Sequence, residues 1–213
     1  MDNPEQNVKE IFNCTNIANF LSYLPNNSFN FVCIHINIRS IIKNFSKLEC
    51  CINDFRNKID VIVITEPNIS DSISSMFQLR GYTMHTKLRK NQRGGGVIMY
   101  VQQKHNIKIN TYSTFYCENI IGTITTSNNY ELTLCALYKP PCKSSHLFLS
   151  TELSRILKKY HTIKNFILIG DINIDLKSEN NPTNRILRSE YNHERNKLNK
   201  MIRKSKNKYC NTQ

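Results

Sequence analysis

No stretch of this 213-residue chain holds enough consecutive apolar residues to cross a bilayer as a helix, so no membrane span is expected. The opening residues, MDNPEQNVKEIFNC, lack a basic start followed by an apolar block, which speaks against a secretory signal, and an intracellular protein is expected. CxxC spacing is absent although there are eight cysteines. Cys33 and Cys135 lie in apolar, strand-like runs and Cys50 and Cys51 are adjacent, so buried reduced thiols are expected rather than disulfides or zinc. Negative charge is scarce: 16 Asp and Glu face 29 Lys and Arg, a formal net charge of +13. Such an excess favours a polyanionic partner through counterion release. It is uneven, since Arg185, Arg188, Arg195, Lys197, Lys200, Arg203, Lys204, Lys206 and Lys208 are offset only by Glu190 and Glu194.

What remains is ordinary globular composition, 39% hydrophobic and 21% charged, enough for one main core. Residues 1–30 are polar and Asn-rich, a poorly ordered lead-in. FVCIHINI (31–38) reads as a strand, and the segment after it places Ile41, Ile42, Phe45, Leu48, Ile52 and Phe55 on one helical face. DVIVITEP (60–67) is a second buried strand, so strand, helix and strand announce a layered α/β unit. The basic stretch KLRKNQRGGG reads as a surface loop leading into the strand VIMYV. ENIIGTITTSNNYELTLCALYKPP is a hairpin turning near Asn128 and Asn129. Leu149, Leu153, Ile156, Leu157 and Tyr160 have helical spacing, with Ser144 or Ser145 as N-cap. NFILIGDINIDL (165–176) is the last clear strand, and from Asn180 a repeating face of Leu187, Tyr191, Leu198, Ile202 and Tyr209 predicts a basic amphipathic helix.

Polar residues close several of the apolar runs: Asn37 the first, Glu66 the second, Tyr138 the hairpin arm, Asp171 and Asn173 the last. Residues two apart in a strand share a face, so Asp171 and Asn173 are expected to point together with Ile172 toward the core. Glu66 with Asp171 is the minimum that a Mg²⁺ ion needs, since this hard cation takes one or two carboxylates and keeps water. Asn37 and Asn173 could hold phosphate oxygens or orient water, and Tyr138 could bond a scissile phosphate. Taken singly, each has a plainer use: Glu before Pro and Asp after Gly commonly punctuate strand ends, Asn37 could cap the helix starting near Ser40, and Tyr138 could be a rim aromatic. Arg93 with the glycines after it reads more readily as a strand entry than as a phosphate cradle, because no helix follows.

The pieces HINIRS (35–40), VIVITEPNIS (61–70), RGGGVIMYV (93–101), LYKPP (137–141) and ILIGDINID (167–175) together resemble the endonuclease/exonuclease/phosphatase superfamily, most closely the apurinic-like endonuclease domain of non-LTR, LINE-type retrotransposons. The resemblance implies a four-layered α/β sandwich and Mg²⁺-dependent nicking of DNA that exposes a 3′ hydroxyl for target-primed reverse transcription. It assigns Asn37, Glu66 and Asp171 to the metal site, with Glu66 the main ligand. Tyr138 becomes the phosphate-contacting tyrosine, Asp171 the residue that orients the nucleophile or protonates the leaving group, and Asn173 the transition-state amide. A protein acting on genomic DNA would work in the nucleus. The expected divisions are a lead-in (1–30), a partial domain (31–181) and a basic helix (182–213) similar to the linker that precedes reverse transcriptase.

The departure is at the end of the domain. Family members close with a Ser-Asp-His motif, whereas here no Asp follows Asp175 and the only later His is His193. An internal deletion joining the first two thirds of the endonuclease to the linker accounts for this most simply. His35, two residues before Asn37, is a substitute base in principle. The expectation is a nuclease-like domain of reduced or no activity. The alternatives are a non-enzymatic remnant that binds DNA or RNA through its tail, or through Lys87, Arg89, Lys90 and Arg93, and a phosphatase of the same superfamily. The residues specify no oligomeric state.

Overall fold

The computed structural model describes residues 31–53, 55–89, 94–110, 114–141 and 147–174. The lead-in, Arg93, the proposed caps Ser144 and Ser145, and every basic position from Arg185 to Lys208 lie outside the described residues.

Among the described residues eight strands form two four-stranded sheets. The first comprises β1 (Cys33–Asn37), β2 (Val61–Thr65), β3 (Tyr82–Lys87) and β4 (Val97–Gln102), in the order β1, β2, β4, β3. The second comprises β5 (Asn106–Asn110), β6 (Glu118–Thr125), β7 (Glu131–Tyr138) and β8 (Phe166–Asp171), in sequence order. β1 and β2 are parallel and need a crossover, which α1 (Ile41–Asn53) supplies; β7 and β8 are parallel and are joined through a π-helical segment (Phe148–Leu153) running into α3 (Ser154–Tyr160). A short helix, α2 (Asp71–Ser74), follows the second strand.

Side-chain alternation sorts the apolar residues into three layers of contact, which makes four layers of structure. Ile62, Ile64, Ile98 and Tyr100 face α1 through Ile41, Leu48 and Ile52. Their neighbours Val61, Val63, Val97, Met99 and Val101 face the second sheet through Ile120, Ile124, Leu132, Leu134 and Ala136. Ile121, Cys135 and Leu137 on the far side of that sheet pack under Phe148, Leu149, Ile156 and Tyr160. Strands buried on both faces therefore read as unbroken apolar runs, and each fully buried Ile or Leu contributes about 1.5–3 kcal/mol. The four-layered α/β sandwich expected from the resemblance is the fold observed.

Several local expectations need correction. Ile42 is 59% exposed because 100° per residue carries it off the stripe of Ile41, Phe45, Leu48 and Ile52. Asn37 does not cap α1: its side-chain oxygen accepts the Arg39 N–H (3.2 Å), and the helix begin is tied instead by Ile41 N–H to the Pro67 carbonyl (2.9 Å). β3 and β5 were not expected as strands. Both are edges, exposed along one face, so their apolar pattern is thin. In β8 none of Phe166, Ile167, Leu168 or Ile169 is buried, despite their character, since among the described residues β8 pairs only with β7. The five described cysteines, Cys33, Cys50, Cys51, Cys117 and Cys135, are free thiols.

Candidate active site

Parallel pairing sends β1 and β2 the same way, and β7 and β8 likewise, so Asn37, Tyr138 and Asp171 close their strands and Glu66 follows directly on β2. Asn37 sits opposite Thr65, immediately before Glu66, and Tyr138 sits opposite Asp171. Hydrogen bonds then tie one sheet to the other. The Asn37 amide donates to Asp171 Oδ2 (2.9 Å), and the Tyr138 hydroxyl donates to Glu66 Oε1 (3.2 Å).

Asn173 joins this group by a different route from the one the alternation suggests. The strand stops at Asp171, and Asn173 has φ 45°, so it is not two steps along a pleat. Its backbone N–H donates to Asp171 Oδ1 (3.0 Å) and its amide to the Lys139 carbonyl (2.9 Å), a side-chain-to-backbone turn. Ile172 packs in the layer beneath α3. Among the described residues four of the five non-glycine residues with positive φ, Arg39, Glu66, Asn68 and Asn173, belong to the segments around these side chains, and such backbone typically costs about 1–3 kcal/mol each. Strain of this kind is retained where the surrounding structure holds a side chain in a required direction. At Glu66 the brace is a hydrogen bond from its N–H to the Gly96 carbonyl (3.3 Å).

Arg89 was not singled out for the catalytic group by sequence, yet it underlies it. Its guanidinium pairs with Glu118 (Nε to Oε1, 2.6 Å) and lies 5.9 Å from the centre of the Tyr138 ring, within cation–π range. A Cβ on Gly95 would come within 2.8 Å of Arg89 Nε, and Gly95 has φ 81°, so the glycine run is a strand entry shaped to seat this arginine. A sequence signal existed in the bare Cα demanded beside a part-buried cation, but nothing in the wording pairs residue 89 with residue 118. Burial pushes the Tyr138 hydroxyl above its ordinary pKa, aided by the Glu66 charge and hydrogen bond and opposed by Arg89, so it remains a donor at neutral pH.

His35 lies alongside. Its Nε2 meets the Thr65 hydroxyl (2.9 Å), and burial lowers its pKa more than the nearby Asp171 raises it. A cleft of about 510 Å³, lined by His35, Gly170, Asp171, Ile172, Asn173 and Ile174, opens beside it. Among the described residues no three His, Cys, Asp or Glu side chains are grouped to hold an ion unaided. The donor set is two carboxylates and an amide, with Glu66 engaged through Oε1 and both Asp171 oxygens accepting hydrogen bonds. Hard oxygen donors that leave places for water fit Mg²⁺ better than a softer metal.

No protein-family model and no curated protein sequence matches the chain. Solved structures do. A humanized D. rerio TDP2 superposes with a TM-score of 0.51 at 16% identity, covering 68% of this chain and 67% of that one. TDP2 from C. elegans gives 0.55 at 13% identity, over 70% and 49%. The 3′ phosphatase NExo from Neisseria, bound to a product DNA hairpin, gives 0.51 at 14% identity, over 70% and 60%. The chain thus aligns with about half to two thirds of the length of these neighbours. The two sheets, their flanking helices and these superpositions together establish an endonuclease/exonuclease/phosphatase-type fold for this chain.

Proposed function

We propose that the chain is a nuclease-like domain of retrotransposon origin that binds DNA and hydrolyses phosphodiester bonds with Mg²⁺ at a rate well below that of a complete site. One observation carries this reading: side chains at the ends of four separate strands are bonded in pairs across two sheets, Asn37 to Asp171 and Tyr138 to Glu66. A buried core does not need carboxylates, amides and a phenol converging there, and placing them on strained backbone costs stability.

Glu66, with Asn37 and Asp171, would hold the ion, which when bound supplies Lewis-acid stabilisation of the negative charge that develops on the phosphoryl oxygens. Tyr138, protonated at neutral pH, donates to a phosphate oxygen. Asn37 and the Asn173 N–H fix the direction of the Asp171 carboxylate, which orients the attacking water, accepts its proton and can then pass that proton to the leaving oxygen. Among the described residues the imidazole beside the site is His35, whose Nε2 is engaged with Thr65 and whose basicity burial lowers, which leaves water activation poorly supported. Losing one member of a cooperative catalytic set typically costs several orders of magnitude.

Supercoiled plasmid incubated with the protein tests this directly. Slow, Mg²⁺-dependent nicking that Glu66→Gln abolishes is expected, together with DNA binding that Glu66→Gln preserves. Nicking that is unchanged in Glu66→Gln, or absence of DNA binding at low salt, would remove the proposal.

A further inference from the structure

We propose that Phe115 is a stacking platform for an unpaired nucleobase at the rim of the candidate site, an inference that rests on the nucleic-acid-binding reading above. Phe115 is 87% exposed, more than any other large apolar side chain among the described residues. Single exposed apolar residues are common. What sets this one apart is how firmly it is held out.

Its backbone N–H and that of Tyr116 both donate to the carboxylate of Glu152, which reaches up from the π-helical segment and is only 5% exposed; the Tyr116 bond is 3.0 Å. Thr114 Oγ donates to the Cys117 carbonyl (2.6 Å), and Asn119 Nδ2 donates to Thr114 Oγ (2.7 Å). Tyr116 and Cys117 pack into the layer beneath α3, and the Tyr116 ring meets Phe115 edge to face at 5.1 Å and 84°. A buried carboxylate spent on two loop N–H groups fixes a backbone that leaves one aromatic face open to solvent, with little ordering entropy left to lose on binding.

The position matches the chemistry. Glu118 pairs directly with Tyr138 across β6 and β7, so the residues just before Glu118 project past the strand end that carries the tyrosine. Arg89 links the two by pairing with Glu118 and lying over the Tyr138 ring. The loop itself is anchored on the α3-covered side of the second sheet, so a nucleic-acid strand with a phosphate at Tyr138 and Glu66 would reach Phe115 by running over the strand end that Glu118 and Tyr138 share. Bases stack on aromatic rings without regard to sequence because each has a π-face.

The chain contains no tryptophan, so Phe115→Trp introduces a single indole at this position. The full-length variant is titrated at low salt with an end-labelled single-stranded DNA oligonucleotide, read by label anisotropy and by indole emission together. Inorganic polyphosphate serves as a polyanion without bases. Quenching that saturates with the anisotropy change, and that polyphosphate does not reproduce while displacing the oligonucleotide, is expected. Phe115→Ala, whose melt should match the parent, is expected to weaken oligonucleotide binding about 5- to 150-fold and to leave polyphosphate binding unchanged. Oligonucleotide binding without quenching, or with unchanged affinity in Phe115→Ala, overturns this inference alone. A concentration-dependent blue shift without nucleic acid, marking a second copy on the ring, overturns it too. Failure of the unsubstituted protein to bind the oligonucleotide while it still binds plasmid DNA overturns this inference alone, and failure to bind either sinks the nucleic-acid-binding reading with it.

Discussion

Cys33, Cys117 and Cys135 illustrate how burial alone can silence a reactive side chain. Burial pushes the Cys33 thiol up to about 12, with the Asp60 charge adding to it, and the Cys135 thiol up to about 12; Cys117 is also raised, first by burial. The thiolate is the nucleophile, so iodoacetamide at pH 8 should label exposed Cys50 well before these three, as peptide mapping would measure. Labelling of Cys135 at the rate of Cys50 would contradict the packing. His85 responds to pH for the same physical reason. Burial lowers its pKa below the ordinary 6.5, and its Nε2 is enclosed without a partner, so the folded state disfavours the charged ring. The unfolded chain therefore binds the proton more readily, and stability contributed by neutral His85 is complete above pH ~6.5 and is lost as pH falls below it. Urea midpoints should decline on going from pH 7.5 to pH 5, and less steeply in His85→Gln. An identical slope in the variant would assign the titration elsewhere.

At the scale of the element, β8 is the one whose sequence and situation are most at odds. Its apolar run is that of a strand buried on both faces, yet among the described residues it is an edge with Leu168 37% exposed. Gly170 explains how it nonetheless delivers Asp171. Gly170 lies opposite Leu137 with φ 146°, and a Cβ there would fall 1.8 Å from the Leu137 carbonyl oxygen, so only glycine lets the two backbones close up next to Asp171. Gly170→Ala is expected to destabilise by about 3 kcal/mol or more, measured as a shift in the urea midpoint, with loss of whatever nicking remains. A variant of parental stability would mean that the strand can shift aside without cost.

For the whole molecule, two edges matter. β1 and β8 each have one strand partner among the described residues, and an apolar strand with unpaired backbone groups is a template for association. Leu168→Lys should lower light scattering during a thermal ramp while leaving the melting midpoint within about 2 °C, since the side chain is already part-exposed. Scattering unaffected by the change would place the sticky surface elsewhere. The net charge of +13 makes a second demand. If about six of the nine basic residues between Arg185 and Lys208 contact phosphate, log affinity for duplex DNA should fall against log salt with a slope near −5. Removing residues 182–213 should take away most of that slope, whereas a slope unchanged by the deletion would locate binding on the sandwich, around Lys87 and Arg89.

The positions of Asn37, Glu66, Tyr138 and Asp171 were legible one by one because each closes an apolar run, and a polar residue stands out at the end of a strand buried on both faces. So were the helical crossovers and the hairpin loop, where Asn129 takes φ 58°. Edge strands β3 and β5 were not legible, since a strand exposed along one side carries too few apolar residues to announce itself. Nor could linear spacing pair Arg89 with Glu118, set Phe115 on a buried Glu152, or turn Asn173 onto the Lys139 carbonyl. Local periodicity is a property of neighbours along the chain. Contacts between residues 29 to 134 positions apart, such as Arg89 with Glu118 and Asn37 with Asp171, depend on how two twisted sheets stack, and only folding sets that distance.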